Sequence, residues 1–287
     1  MSIFGIFGGG ARETARLGRA LVILWVANVF FSLLGVLPLA FLIDREIGHS
    51  FWGNNVRGFD FLWLGEVLYK FRDLPPVLAG WFLGVAGLFF IASVFLTGGV
   101  IGRLVAGERV TPAGFFGDCG RFFWRFVRLF LLSLPFYFVV LSLFSRLLSA
   151  ALKSVYDSAA TEWTTLIVSN LQFLAVLLVF SIVQMLFDYT KVRLAVDDSY
   201  QVLRSLGRTV GFLLQNFGRT WGAYLLVSLV FGLGFVVFIN VLKLIPNRGL
   251  VPAALGFLWS QGFVLFRLWT RVQYFATAFI VDRERRR

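Results

Sequence analysis

Arg121, Arg125 and Arg128 lie in the stretch FFGDCGRFFWRFVRLF (residues 115–130), three guanidinium groups among seven aromatic rings. Their i, i+4, i+7 spacing puts all three on one stripe of a helix. A guanidinium is a planar fork that takes phosphate or carboxylate oxygens two at a time, so the stripe suits holding an oxyanion rather than moving a proton. Other reactive types are scarce. His49 is the only histidine, which weakens any scheme needing a His base or a transition-metal cluster. Cys119 is the only cysteine, so an internal disulfide or a Cys-x-x-Cys site is ruled out. Asp197 and Asp198 are neighbours, and adjacent helical side chains diverge, whereas a working acid pair sits at i, i+3 or i, i+4. G-x-x-x-x-G-K-[ST], H-E-x-x-H and G-x-S-x-G are all missing. The chain therefore reads as a non-enzyme, with no catalytic residue, metal or cofactor assigned.

The elements that must carry these residues follow from composition. Of 287 residues, 59% are hydrophobic and 15% charged, with 35 phenylalanines and a mean hydropathy of +0.82. A soluble domain carries about a quarter charged residues. Crossing a bilayer takes roughly 20 apolar residues in helix, and six runs meet that demand: 20–43, 76–96, 126–144, 163–187, 221–242 and 251–266. The reading is an all-α polytopic membrane bundle of six transmembrane helices, a single domain over 1–287. The first run, longer than a signal-peptide core, is expected to be an uncleaved span. Pro76 and Pro252 suit first helical turns, while Pro38 and Pro135 fall inside spans. The longest outer loop is 44–75. Its part FDFLWLGEVLYKF (59–71) reads as an amphipathic helix with Glu66 and Lys70 one turn apart.

Loop charge sets the orientation. With both termini, 97–128 and 188–220 in the cytoplasm, 19 of the 27 basic residues face inward against 8 of the 15 acidic ones. Nearly all of the net +12 then lies on one side. This partition accounts for the charge without nucleic acid. A nucleic-acid site also needs rings free to stack, and these rings sit within a few residues of a span. The arginine stripe is read instead as an interfacial anchor, rings in the acyl region and guanidinium groups on phosphates, with anionic lipid head groups and a membrane-protein partner as the expected contacts.

A three-fold repeat is visible. TGGVIGRLVAGE (97–108), YTKVRLAVDD (189–198) and YFATAFIVDR (274–283) lie over one another without gaps, Arg103 on Arg193. Arg12, Arg16 and Arg19 repeat the spacing of Arg121, Arg125 and Arg128, and Gln201, Arg204, Arg208, Gln215 and Arg219 form a looser third copy. Each unit is a basic interfacial helix, a span up and a span down, and such units repeat about an axis along the membrane normal.

Two sets of candidate site residues follow. Arg103, Arg121, Arg125, Arg128, Lys191, Arg193, Arg204, Arg208, Arg267 and Arg271 are the lipid- or anion-binding set. Arg103, Lys191, Arg193, Arg267 and Arg271 are placed as a ring at the inner mouth with Asp188. Asn28, Asn170, Gln172, Gln184, Asp188, Asn240 and Gln261 are polar groups within or at the ends of spans, either bonded between helices or lining a cavity.

The stretch VRLAVDDSYQVLRSLGRTVGFLLQNFGRTWGAYLL (192–226) resembles the membrane domain that accompanies some bacterial glycerophosphoryl diester phosphodiesterases, and related six-span proteins. Asp197/Asp198, Arg204–Ser205 and Phe217–Arg219 match its acidic span end, basic–Ser pair and aromatic–basic re-entry, with Leu206 where an aromatic residue is frequent. GRLVAGERVTPAGFFGDCGRFFWRFVRL echoes it more faintly, so that about a third of the chain is covered. The resemblance implies a six-span bacterial membrane module; no phosphodiesterase domain lies in these residues, so that activity is not carried over. Mitochondrial carriers share the plan of three two-span units, but their P-x-[DE]-x-x-[KR] signature is absent from every odd span.

The expected function is a scaffold or accessory subunit that organises lipid or partner proteins; the alternative is a transporter or channel for a small anion or lipid. If the orientation is right, single cysteines placed at Arg121 and at Arg204 react with an impermeant maleimide from the same aqueous compartment. Labelling from opposite sides refutes the topology.

Overall fold

The computed structural model describes residues 2–47, 74–157, 161–246 and 249–286, without the side chains of 42–47 and 74–75. His49 and the amphipathic helix expected at 59–71, with Glu66 and Lys70, lie outside the described residues. Of these residues 93% are helical, and no strand occurs among them. The elements are α1 (Ile3–Arg16), α2 (Gly18–Ile47), α3 (Leu74–Ala106), α4 (Pro112–Phe138), α5 (Ser145–Ala151), α6 (Lys153–Asp157), α7 (Glu162–Val196), α8 (Val202–Gln215), α9 (Phe217–Leu244) and α10 (Leu250–Arg286). A π-helical turn, Val139–Phe144, joins α4 to α5; it starts four residues after Pro135, whose missing N–H already breaks the regular ladder.

Among the described residues six helices are long and apolar enough to cross a membrane, so the chain is a multi-pass helical membrane protein. The downward helices run well past the apolar stretches read from sequence. α10 continues to Arg286, where the apolar run ends at Phe266. Its 37 residues span about 55 Å, against a hydrocarbon core of about 30 Å. The extra turns exist because they have something to pack on.

The packing resolves into two compact units. One comprises Met1–Leu17, Gly98–Leu229 and Arg271–Arg287, the other Gly18–Thr97 and Val230–Thr270. In the first unit the repeat has a physical form: each basic N-terminal segment lies on the tail of a downward helix. α1 lies on α10, where Thr14 Oγ1 donates to Gln273 Oε1 at 3.0 Å and Gln273 Nε2 donates to the Phe7 carbonyl at 2.9 Å. The head of α4 lies on the tail of α3, with Gly98, Gly99 and Gly102 against Phe115, Asp118 and Cys119. α8 lies on α7, where Phe212 meets Tyr189 and Arg193 Nη1 donates to the Arg208 carbonyl. Each copy rests on the tail of the copy before it, and the first on the tail of the last.

Helix starts fix the register. Ser2 caps α1 by accepting from Gly5 N, and Thr111 caps α4 by accepting from Gly114 N. These two caps stand in the same relation as Arg12 and Arg121. The third copy, α8, begins at Val202 after Gln201, which makes no side-chain cap. Its equivalents of Ile6 and Gly10 are therefore Ser205 and Thr209, both buried. α1 breaks at Leu17 and α8 at Asn216, whereas α4 runs on through the equivalent Phe126.

Both short helices show three faces. Ile6, Gly10 and Thr14 of α1, and Val202, Ser205, Leu206, Thr209, Phe212 and Leu213 of α8, are buried. A second sector is apolar yet exposed: Phe4 on α1, and Leu203, Val210 and Leu214 on α8. The third carries Arg12 and Arg16 on α1, and Arg204 and Arg208 on α8, all exposed.

The second unit is held by rings and indole donors. Phe231, Phe235, Phe238, Phe263 and Phe266 form a contiguous series of stacked and tilted ring contacts. Trp81 Nε1 donates to the Leu34 carbonyl, Trp259 Nε1 to the Phe238 carbonyl and Trp25 Nε1 to Gln261 Oε1. In lipid, where the helices gain no hydrophobic drive to associate, such packing and hydrogen bonds carry the stability.

A Cβ built on Gly99 would lie 2.6 Å from Cys119 Sγ, whereas one on Gly8 meets nothing within 4 Å. Gly99→Ala is expected to destabilise by about 1–3 kcal/mol through overpacking. Gly8→Ala is expected to stabilise by up to about 1 kcal/mol through helix propensity. Thermal unfolding of both variants in detergent reads the opposite signs.

Candidate functional site

Two aspartates of opposite character in the first unit each hold two cations. Asp188, in α7, is fully buried. Its Oδ1 accepts from Lys191 Nζ at 2.9 Å, and its Oδ2 from Tyr224 Oη at 3.2 Å and Arg271 Nη1 at 3.3 Å. Both cations also stand over the ring of Phe275. Tyr224 lies against Tyr274, ring centroids 4.3 Å apart, and the Tyr274 hydroxyl is 2.7 Å from Ser228 Oγ. One carboxylate faces two cations, leaving a surplus positive charge where the apolar spans begin. Charges survive at that depth only when paired and hydrogen-bonded.

Asp198 is half exposed and ends α7. Ser199 N bonds the Leu194 carbonyl and Asp198 N the Ala195 carbonyl, a Schellman closure that requires the left-handed region at Asp198, where φ is 45°. Glycine is the usual occupant of that position, and Asp tolerates it. Here Asp supplies what Gly lacks: Oδ1 accepts from Arg125 Nη1 and Oδ2 from Arg121 Nη2, each at 2.6 Å. Those bonds from Arg125 and Arg121 hold the Asp198 carboxyl below the usual carboxylate range. The guanidinium of Arg125 lies 3.7 Å from the ring centroid of Tyr200. At the equivalent place in the first copy, Arg16 Nη2 donates to the Gly107 carbonyl, and Gly107 ends α3 with φ 67°.

The ring expected at an inner mouth is divided among separate carboxylates. Arg103 pairs with Asp118 and Glu108. Arg193 pairs with Asp282, 2.8 Å away and almost fully buried. Arg286 joins Asp282 to Asp197. Lys191 and Arg271 share Asp188. Arg267 lies in the second unit, donating to Asn28 Oδ1 at 3.1 Å. Arg128, Arg204 and Arg208 are exposed, and no ion pair joins them to any described residue.

The neutral amides are not gathered either. Asn28, Asn170 and Asn240 each donate to the carbonyl one turn back on their own helix. Gln172 bonds Tyr156 and Ser149, Gln184 accepts from Tyr137, and Gln261 accepts from Trp25. A groove of about 380 Å³ in the second unit is lined by Val241, Ile245, Leu255, Leu258 and Trp259, and includes none of them. The three asparagines reach the carbonyl one turn back and the three glutamines reach side chains on other segments, so neither set needs a shared cavity.

Sequence reasoning missed Asp118, Asp282, Tyr200, Tyr224, Tyr274 and Gln273. Gln273 had a signal: in the repeat it aligns with Asp188. Compared with protein-family models, with curated proteins and with solved structures, the chain matches none.

Asp188→Asn leaves Lys191 and Arg271 without a counter-charge and is expected to destabilise by about 3–5 kcal/mol. Lys191→Met keeps the Asp188–Arg271 pair and is expected to be much milder. Denaturation midpoints in the reverse order contradict Asp188 as the shared counter-charge of the two cations.

Proposed function

We propose that this protein is a non-enzymatic multi-pass module of a bacterial inner membrane, both ends cytoplasmic, that organises anionic lipid or a membrane-protein partner on its basic inner surface. One observation carries the reading. Arg12, Arg128, Arg204 and Arg208 are exposed with no ion pair to any described residue, and beside them Phe4, Trp124, Leu203 and Leu214 are exposed and apolar. A helix with one face packed on protein, one apolar face uncovered and one basic face is built for the boundary between acyl chains and head groups. Each such arginine contributes about 1 kcal/mol of attraction to an anionic surface. The likeness of 192–226 to a six-span bacterial module agrees with this role.

The competing reading, a transporter or channel for a small anion or lipid, draws on the surplus cation beside Asp188. The tail arginines tied up by carboxylates, and the amides tied up one at a time, favour the module.

The test is reconstitution into vesicles of phosphatidylcholine with a minority of phosphatidylglycerol, followed by polymer extraction and lipid counting. Phosphatidylglycerol is expected to be enriched about threefold around the protein. The enrichment should fall as salt rises, and be lost when Arg12, Arg128, Arg204 and Arg208 are all changed to Gln. Iodide or phosphate flux above that of protein-free vesicles, abolished by Arg267→Ala, would replace this reading with the transporter.

A further inference from the structure

We infer that the Nε–Nη2 edge of Arg125 is a receptor for a phosphate-type oxyanion at the membrane surface, a site that rests on the lipid-organising reading for the source of its phosphate.

Arg125 is 2% exposed, yet its Nε and Nη2 are buried with no acceptor. These two nitrogens lie on one edge of the guanidinium plane, and their N–H bonds run nearly parallel. That is the edge that grips carboxylate or phosphate with two hydrogen bonds. Four other arginines of the unit differ. Arg16, Arg103, Arg193 and Arg286 each donate to two acceptors. Arg125 gives one bond, from Nη1 to Asp198, and keeps its fork free. A buried donor pair without an acceptor is uncommon in a native protein and calls for an explanation.

Charge and position agree. Asp198 is already shared, one oxygen to Arg121 and one to Arg125, so the trio carries a net positive charge. Arg128, exposed and without an ion pair to any described residue, lies one turn on along α4. Phe126, where the apolar run begins, follows directly, and Trp124 beside it is exposed. An anion on the free edge therefore sits at head-group depth. The guanidinium lies against two rings, Tyr200, exposed in the link between α7 and α8, and Phe122 of its own helix, so that its faces are held by aromatic contacts while its free edge has no acceptor. A phosphodiester supplies two oxygens to the fork, and Arg128 lies on the same stripe of the helix.

The full chain in detergent is titrated in one arm with dihexanoyl phosphatidylglycerol and in another with inorganic phosphate. The wild type is expected to take one saturable equivalent in at least one arm. Arg125→Lys, which keeps the charge but loses the fork, is expected to weaken that binding at least about tenfold, while Arg146→Lys, exposed on α5 and outside the site, changes it less than about twofold. Saturation by the lipid alone identifies a head-group site. Saturation by inorganic phosphate identifies a site for the free anion. No saturable binding in either arm, or equal binding by wild type and Arg125→Lys, overturns the proposal. Salt-sensitive, non-saturating lipid association indifferent to Arg125→Lys would also overturn it while leaving the basic-surface reading intact. Should Arg125→Lys not fold, the wild type is followed through its arginine Nε–H resonances. Ligand must shift one slowly exchanging signal, and no shift overturns the proposal.

Discussion

The first unit depends on close approach between short helical segments and the tails of long ones. Backbones come this near only where side chains are absent or small, and Gly10, Gly99 and Gly102 mark the places. Once there, main chain and polar side chains face each other directly. Thr14 and Gln273 bond across the first contact, and Arg103 reaches Asp118 across the second. The tails extend beyond the apolar runs because these contacts give the extra turns a partner. Polar groups that a lone helix would expose to lipid are used up between helices.

This arrangement sorts the arginines into two populations with different physics. Arg103, Arg193 and Arg286 are tied to carboxylates on neighbouring segments and hold helix ends in place. Arg12, Arg128, Arg204 and Arg208 stand clear of any described carboxylate. Their charge is available to a surface or partner. Asp198 belongs to both descriptions: it closes a helix end through its backbone and orients two arginines through its side chain.

Hydropathy made the six helices legible, because a run of apolar residues has few other fates. Arg12 and Arg16 are spaced as Arg121 and Arg125 are, and the caps at Ser2 and Thr111 stand at the same offset from them. The third copy was legible only loosely, because Arg204 and Arg208 keep a basic face while the face that sets the packing carries small polar Ser205 and Thr209. Partners were harder. Arg125 and Asp198 are 73 residues apart, and Arg193 and Asp282 are 89 apart. Nothing local distinguishes a cation that will meet a carboxylate from one that will meet water. The amides could be read as interhelical bonds or as a cavity lining: Gln172, Gln184 and Gln261 bond other segments, while Asn28, Asn170 and Asn240 are satisfied by their own helices.

α1 lies on the tail of α10, so the polypeptide's opening segment and its final one are neighbours within the first unit. The cycle of contacts has no privileged starting point. A circular permutant that joined those two ends and opened between α3 and α4 would keep every segment-on-tail contact, since none depends on which copy is synthesised first.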